Sequence, residues 1–540
     1  MKQMRFIKLF LFVTVLALYS CGTTTILSTP IEKVDTVPTK VSDLTEEQLE
    51  NWNQLDLLTD TIPGMSVDRA YDELLKNKKG QTVIVGIIDS GIDIDHEDLK
   101  NVIWTNTDEK PNNGIDDDKN GYIDDIHGWN FLGDAIHENL EYVRILKKEN
   151  TGSELYKSLK SEYDTEIAKT KQEKEQVGQI IQFVPLAQKV IKDHLGKEEY
   201  TIEDLKGITS TDQQVAQSKG LLLFLDENGL DYEGLKDYAE DIDSRLKYNF
   251  GLDFDGRKVV GDNPDDITDT KYGNNIVYGP DKEKVSHGTH VAGTVAAQRN
   301  NGIGMNGIAN NVEIMTLRAV PDGDEYDKDV ALAIRYAADN GAKVINMSFG
   351  KSHSPHQKWV MDAIKYAASK DVLIVNAAGN DAENIDVEAS FPTDVENGSE
   401  IADNFITIGA LNYKYGGELV ANFSNYGKGN VDIFAPGVKI WSTFPNNKYE
   451  YSQGTSMAAP AVSGVAALIR SYYPKLTAPQ VKKIIMNSGL PIKTDVIIGG
   501  DNTKTDSFGN LSKSGKIVNA FNALILADKV AKGKTDFLTK

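Results

Sequence analysis

Five short runs of β-branched and aliphatic residues set the limits on how this chain folds. They are Gln81–Ile88 (QTVIVGII), Val312–Leu317 (VEIMTL), Lys343–Met347 (KVINM), Val372–Asn376 (VLIVN) and Phe405–Gly409 (FITIG). Each is too short for a core helix and too uniformly apolar for a strand with one wet face. Such runs mark strands buried on both sides of a parallel sheet. Amphipathic segments lie between several of them. Asp329–Asn340 carries Val330, Ile334 and Ala337 on one face, and Lys358–Lys370 carries Val360, Ile364 and Ala367. Strands alternating with helices predict an α/β fold with a mostly parallel sheet between helix layers.

One region breaks that alternation. Across residues 135–247, Ile136, Leu140, Val143 and Leu146 fall at helical spacing, as do Tyr156, Leu159, Tyr163 and Ile167. Glu and Lys fill many of the intervening positions, which predicts a helical insertion with amphipathic faces. An arm packed on the main domain is one reading of it; substrate gating or partner binding is the other. The organisation expected is a leader over 1–20, a tether over 21–48 and a main domain over 49–490 interrupted by 135–247. Residues 491–540 form a C-terminal extension packing on that domain.

Lys2, Arg5 and Lys8 precede an apolar run from Leu9 to Leu18, too short to span a bilayer and suited to an export leader. The single cysteine, Cys21, follows Leu18-Tyr19-Ser20. That segment resembles a bacterial lipobox, in which the cysteine is lipidated. With Gly22 next to it, an outer-membrane lipoprotein of the bacterial envelope is expected, with a periplasmic or secreted protein as the alternative. One cysteine rules out an internal disulfide and a zinc site built on several thiolates. The 80 acidic residues against 58 basic ones leave a net charge of −22, which argues against nucleic acid as a partner.

Three segments carry chemistry. Ile87-Ile88-Asp89-Ser90-Gly91 sets a carboxylate at the carboxyl end of a buried strand, where ligands gather in parallel sheets. Ser286–Gly293 (SHGTHVAG) opens a helix of small residues with His287 at its start. A zinc reading of His287 and His290 fails on spacing, since that motif needs two histidines four apart with a glutamate between. Gly454–Pro460 (GTSMAAP) opens another small-residue helix with Ser456 near its start, where backbone N–H groups and the helix dipole favour developing negative charge. Each segment alone has a plain structural reading: a strand-ending turn, a helix-start histidine, an N-cap serine. Together they occur in the order Asp, His, Ser, unlike the chymotrypsin and α/β-hydrolase orders.

The motifs DSG, HGTHVAG and GTSMAAP resemble those of the subtilisin-like serine peptidases, the subtilases, across about Gly80–Gly489 apart from the insertion. That resemblance implies a subtilisin-like three-layer fold and an exported serine endopeptidase that works through an acyl-enzyme on protein or peptide substrates. Ser456 would be the nucleophile, His287 the general base and acid, and Asp89 the group that orients the imidazole. Asn376–Asp381 resembles the family's oxyanion segment, with Asn380 as donor. Ser348, Phe349 and Gly350, with Ala377, Ala378 and Gly379, resemble the groove walls. Being small and uncharged, they predict a broad or apolar preference at the residue before the cut. The stretch between Asp89 and His287 is far longer than the family's usual one, while that between His287 and Ser456 is close to it. The competing class is a catalytically silent envelope binding or scaffold protein on a peptidase fold.

Acidic loops form the second signal. Asp116, Asp118 and Asn120 alternate as in the first part of an EF-hand, and the Tyr122 carbonyl with Asp124 or Asp125 would complete a structural Ca2+ turn. The twelfth position holds His127 instead of glutamate, so a full EF-hand is not expected. His96–Leu99 resembles the family segment whose aspartate, here Asp98, binds structural calcium, with Asn300 or Asn301 assisting. The loop Asp253–Asp269 holds six aspartates without ordered spacing and reads as solvated. Gly302–Gly307 satisfies GxGxxG but follows a helix, the wrong context for a dinucleotide site, and reads as a turn.

Overall fold

The run at Val83–Asp89 forms the strand β1, and its side chains alternate between two cores. Val83, Val85 and Ile87 enter one, and Ile88 enters the other beside Met315, Leu317, Ile345 and Met347. A strand buried on both faces needs a helix layer on each side. The computed structural model describes residues 28–32, 34, 37–38, 40, 42–227 and 230–534. The expected leader over 1–20 and Cys21 lie outside them.

Eight further strands join β1: β2 (Gly128–Asn130), β3 (Val312–Arg318), β4 (Val344–Met347), β5 (Leu373–Ala377), β6 (Phe405–Leu411), β7 (Ile433–Pro436), β8 (Leu490–Pro491) and β9 (Lys516–Ile517). Their order is β8-β9-β7-β6-β5-β4-β1-β3-β2. Every pairing is parallel except β8 with β9. All five apolar runs became strands. The others are too short to show a period in the sequence.

Helices α1 (Glu141–Lys148), α2 (Glu154–Leu195), α3 (Ile202–Gly207), α4 (Gln213–Glu227) and α5 (Tyr232–Ser244) belong to the insertion. Then follow α6 (Ser286–Ala296), α7 (Asp327–Asp339), α8 (Gln357–Ser369), α9 (Thr455–Tyr472), α10 (Ala478–Ser488) and α11 (Ala520–Ala531). α7 and α8 cover one face of the sheet, while α6, α9, α10 and α11 cover the other. This is a three-layer subtilisin-like α/β fold. α9 crosses β4, β5, β6 and β7, its alanines and glycine allowing close approach to the sheet.

The insertion is helical, as its pattern predicts, with one difference at its start. Ile136 is not helical: its carbonyl accepts from the Asp322 N–H at 2.8 Å, so the chain runs extended there before α1 begins. α2 has 42 residues, a length of about 60 Å at 1.5 Å per residue. Its first half is fastened to the main domain side by Leu159 and Tyr163, buried with Tyr142, Val143, Leu146 and Phe250. Its second half builds a separate small core from Val184, Ala187 and Ile191 against Leu205, Val215, Leu222 and Leu235.

Both ends of the described chain meet. Ile31 and Val34 are buried, and the Ile31 N–H donates to Asn522 Oδ1 at 2.7 Å. The tether reading therefore does not extend to these two residues, because α11 offers them an apolar seat and an amide partner. The segment after 490 adds β9 to the sheet and buries Phe521 and Leu524. The acidic loop also departs from its solvated reading at one point. The Asp262 side chain is 1% exposed, held between Arg257 Nε and Lys328 Nζ, each at 2.6 Å. Among the described residues no helix is long and apolar enough to cross a membrane.

Candidate active site

β1 ends on Asp89, which is 1% exposed. Its Oδ1 accepts from the Ser90 N–H at 2.7 Å and meets His287 Nδ1 at 2.7 Å. His287 is the second residue of α6, which packs on β1 and on α9. Gly288 makes this approach possible: a Cβ there would lie 2.1 Å from the Gly91 carbonyl oxygen and 3.1 Å from Asp89 Oδ1. Partial burial opposes a charged imidazolium at His287, but the charge and hydrogen bond of Asp89 together outweigh it and raise its pKa. The outer side of the ring stays open, with the side chain 40% exposed.

Ser456 stands in the first turn of α9, after Gly454 at φ 143°, a value that L side chains rarely adopt. Its hydroxyl donates to the Ser348 carbonyl at 3.0 Å, and the Ser348 hydroxyl donates to the Ser456 carbonyl at 2.8 Å. Among the described residues Ser456 and His287 share no hydrogen bond. Asn380 Oδ1 accepts from the Thr455 N–H at 2.9 Å and the Thr455 hydroxyl at 3.0 Å. That pairing occupies the oxygen end of the amide and, among the described residues, leaves Nδ2 without a partner.

Ser456 and Asn380 border a cavity of about 620 Å³ whose walls include Phe349, Gly350, Ala377 and Gly379. Ser348 and Ala378 stand behind these walls, both buried. Thr455, which sets the Asn380 amide, had no signal beyond its place in the GTSMAAP motif. Glu162, Glu166 and Lys169 of α2 also line the cavity. Nothing local in the insertion's sequence indicates that placement.

His290, three residues after His287, is buried with Nε2 2.8 Å from the Ile440 carbonyl. Burial pulls its pKa down to about 4, so it is a neutral structural residue at pH 7.

The acidic loop gathers a different set from the alternating pattern. Glu109, Asp118 and Asp125 offer carboxylate oxygens within 4.8 Å of one another. Glu109 Oε2 is buried without a hydrogen-bond partner among the described residues. Burial raises the Asp125 pKa, and the Asp118 charge adds to it. Three convergent carboxylates with an orphaned oxygen fit a hard divalent cation such as Ca2+. Asn120 donates Nδ2 to Asp118 at 3.0 Å and to Asp125 at 2.9 Å. Asp116 instead accepts from the Asn120 and Gly121 N–H groups, and Asp124 from those of Asn113 and Gly114. Tyr122 packs its ring on Trp129 and Tyr336. Glu109 was missed because it precedes the alternating run and enters only through the loop's fold. Asp98 stands apart from this group. Its oxygens accept from Asn301 Nδ2 at 2.6 Å and the Met305 N–H at 3.1 Å.

A sequence model described as the Subtilase family matches residues 80–511. The thermophilic serine proteinase of Bacillus sp. (strain AK1) is 44% identical over 188 residues, 34% of this chain and 43% of that protein. The cell wall-associated protease of Bacillus subtilis (strain 168) is 39% identical over 225 residues, 42% of this chain and 23% of that protein. Subtilisin BL of Lederbergia lenta is 35% identical over 215 residues, 39% of this chain and 73% of that protein. The chain thus spans less than half the length of the first two relatives. The family match runs through β1, α6 and α9, the three elements that bring Asp89, His287 and Ser456 to one side of the sheet, and this chain belongs to the subtilase family.

Proposed function

We propose that this protein is an exported serine endopeptidase that cleaves peptide bonds through Asp89, His287 and Ser456. The carrying observation is the 2.7 Å bond from the buried Asp89 to His287 beside a helix start that presents Ser456 to an open cavity. In this reading the Ser456 hydroxyl leaves the Ser348 carbonyl and attacks the substrate carbonyl. Its proton passes to His287 Nε2, and Asp89 stabilises the imidazolium through Nδ1. Such nucleophile–base contacts often close only with substrate in place. Asn380 Nδ2 and the Ser456 N–H then hold the oxyanion. His287 returns the proton to the leaving amine, and a water repeats the sequence to free the acyl group. Phe349, Gly350, Ala377 and Gly379 would flank an extended substrate backbone.

Glu109, Asp118 and Asp125 would hold a structural Ca2+ that ties the loop of 106–125 to the main domain. The leader over 1–20 and lipidation of Cys21 would place the enzyme on the bacterial envelope, the reading supported by the apolar run and the residues before Cys21.

Incubation of the full-length protein with unfolded casein tests the activity. Fragments that vanish for Ser456→Ala support it. Casein left intact by the unaltered protein in the presence of calcium would overturn it and favour a silent scaffold on this fold.

A further inference from the structure

The cavity beside Ser456 is not walled by the family core alone. Glu162, Glu166 and Lys169 stand on successive turns of one face of α2 and border it. That face is held in place: Leu159 and Tyr163 are buried against α1 and Phe250, and Glu162 meets His353 Nε2 at 3.4 Å. Asp381, which ends the oxyanion segment, and Glu383 and Glu388 of the loop after it also border the cavity. Burial raises the Glu383 pKa, and the charges of Asp381 and Glu388 add to it, a sign of crowded like charge.

Two lysines do not fully offset these five carboxylates. Lys351 is buried and bound to Glu141 at 2.8 Å and Asp327 at 2.9 Å, so its charge is spent behind the wall. Lys169 pairs with Glu166 at 2.6 Å and offsets one of the five negative charges, which still leaves an acidic excess. The lining of the cavity therefore has a net negative part and an apolar part at Phe349 and Ala377. A lysine or arginine side chain matches both halves, its methylene stem on the apolar wall and its cation among the carboxylates.

Building on the peptidase reading, we propose that α2 is a specificity element, with Glu162 and Glu166 forming the outer wall of the cavity that receives the side chain before the cut and selecting lysine or arginine there. An acidic side chain is repelled, a form of discrimination by placed charge. This departs from the apolar preference expected from Ser348–Gly350 and Ala377–Gly379. Those segments describe the walls of the core, whereas the outer wall comes from an insertion distant in sequence.

Matched fluorogenic peptides that differ only in arginine, lysine, phenylalanine or glutamate before the cut decide the matter. The full-length enzyme is expected to cleave the arginine and lysine peptides best and the glutamate peptide least. Glu162→Gln with Glu166→Gln lowers the arginine-to-phenylalanine ratio of kcat/KM by roughly tenfold, mainly through KM. Glu162→Asp with Glu166→Asp restores most of that ratio, and raised salt reduces it in the unaltered enzyme. An unchanged thermal transition in the variants shows that the fold is intact. Preference for phenylalanine, or an arginine-to-phenylalanine ratio untouched by the double glutamine change, overturns this inference and leaves the peptidase reading standing. Absence of any cleavage that depends on Ser456 overturns both.

Discussion

Ser348 and Ser456 are joined by two hydrogen bonds in opposite directions. The Ser456 hydroxyl donates to the Ser348 carbonyl at 3.0 Å, and the Ser348 hydroxyl donates to the Ser456 carbonyl at 2.8 Å. Asn346 Nδ2 donates in turn to the Ser348 hydroxyl at 2.9 Å. The first turn of α9 is thus pinned to the segment after β4, and the position of Ser456 depends on a residue far from it in sequence. Ser348→Ala leaves the Asn346 amide and the Ser456 carbonyl short of a partner in a buried place. The expected loss is about 1–3 kcal/mol of stability, read from denaturant unfolding, with a lower kcat on casein. Unchanged unfolding would contradict this account of the pin.

Thr455 occupies the Asn380 oxygen and, among the described residues, leaves its Nδ2 without a partner, as the proposed oxyanion role requires. Asn380→Ala is expected to lower kcat by about 10²–10³, with KM changed far less. Steady-state kinetics on one good peptide check this split. A pure KM effect would make Asn380 a substrate-binding residue instead of an oxyanion donor.

The pH profile follows from His287. A general base works only when unprotonated, and Asp89 raises the His287 pKa. The acid limb of kcat/KM is therefore expected above the ordinary histidine value of about 6.5. The stability side has the opposite sense: the His287–Asp89 contact supports the fold fully below the unfolded histidine pKa and fades as pH rises through the folded one. Asp89→Asn removes the charge, so the acid limb moves down while turnover falls about 10⁴-fold. An acid limb that stays in place in Asp89→Asn would show that another group controls it.

Calcium should act through Glu109, Asp118 and Asp125. A calcium concentration 100 times the dissociation constant stabilises a folded site by about 2.7 kcal/mol, visible as a rise in Tm. Glu109→Gln is expected to abolish most of that rise. Asp124→Asn, whose parent caps the Asn113 and Gly114 N–H groups, lowers Tm but keeps the response to calcium. Identical melting with calcium and with chelator would remove the cation from this account.

Lys351 links the groove wall to the insertion. It neighbours Gly350, is 2% exposed, and contacts Glu141 of α1 as well as Asp327. Lys351→Met removes a cation that Glu141 and Asp327 share, while Glu141 keeps Arg144 at 2.5 Å and Asp327 keeps the Ser354 hydroxyl and the His356 N–H, each at 2.8 Å, so the expected loss is about 1–3 kcal/mol. Because Glu141 lies in the insertion, limited proteolysis of 141–250 should quicken in the same variant. Retention of full stability would show that the insertion is held by its apolar contacts alone.

The sheet was legible, and the candidate catalytic residues could be named, because their signals are local. A buried strand shows in five or so consecutive residues, and Asp89, His287, Ser456 and Asn380 each sit in a short glycine-bracketed motif. The groups at the cavity's outer wall were not legible. Glu162 and Glu166 look like any solvated helix positions, since a glutamate facing water and one facing a cavity obey the same heptad-like spacing. Glu109 likewise falls outside the alternating acidic pattern. Asp116 and Asp124, inside that pattern, take backbone hydrogen bonds.

By itself, then, the sequence determined the α/β class, the strand runs, the helical character of the insertion and the motifs that place the chain among the subtilases. Tertiary structure alone decided that α2 leans over the cavity beside Ser456, that Glu109 joins Asp118 and Asp125, and that Lys351 is spent in a buried ion cluster. The physical reason is range. Periodicity and turn chemistry act between neighbours in the chain, whereas charge and packing act between whatever side chains the fold brings within a few ångströms.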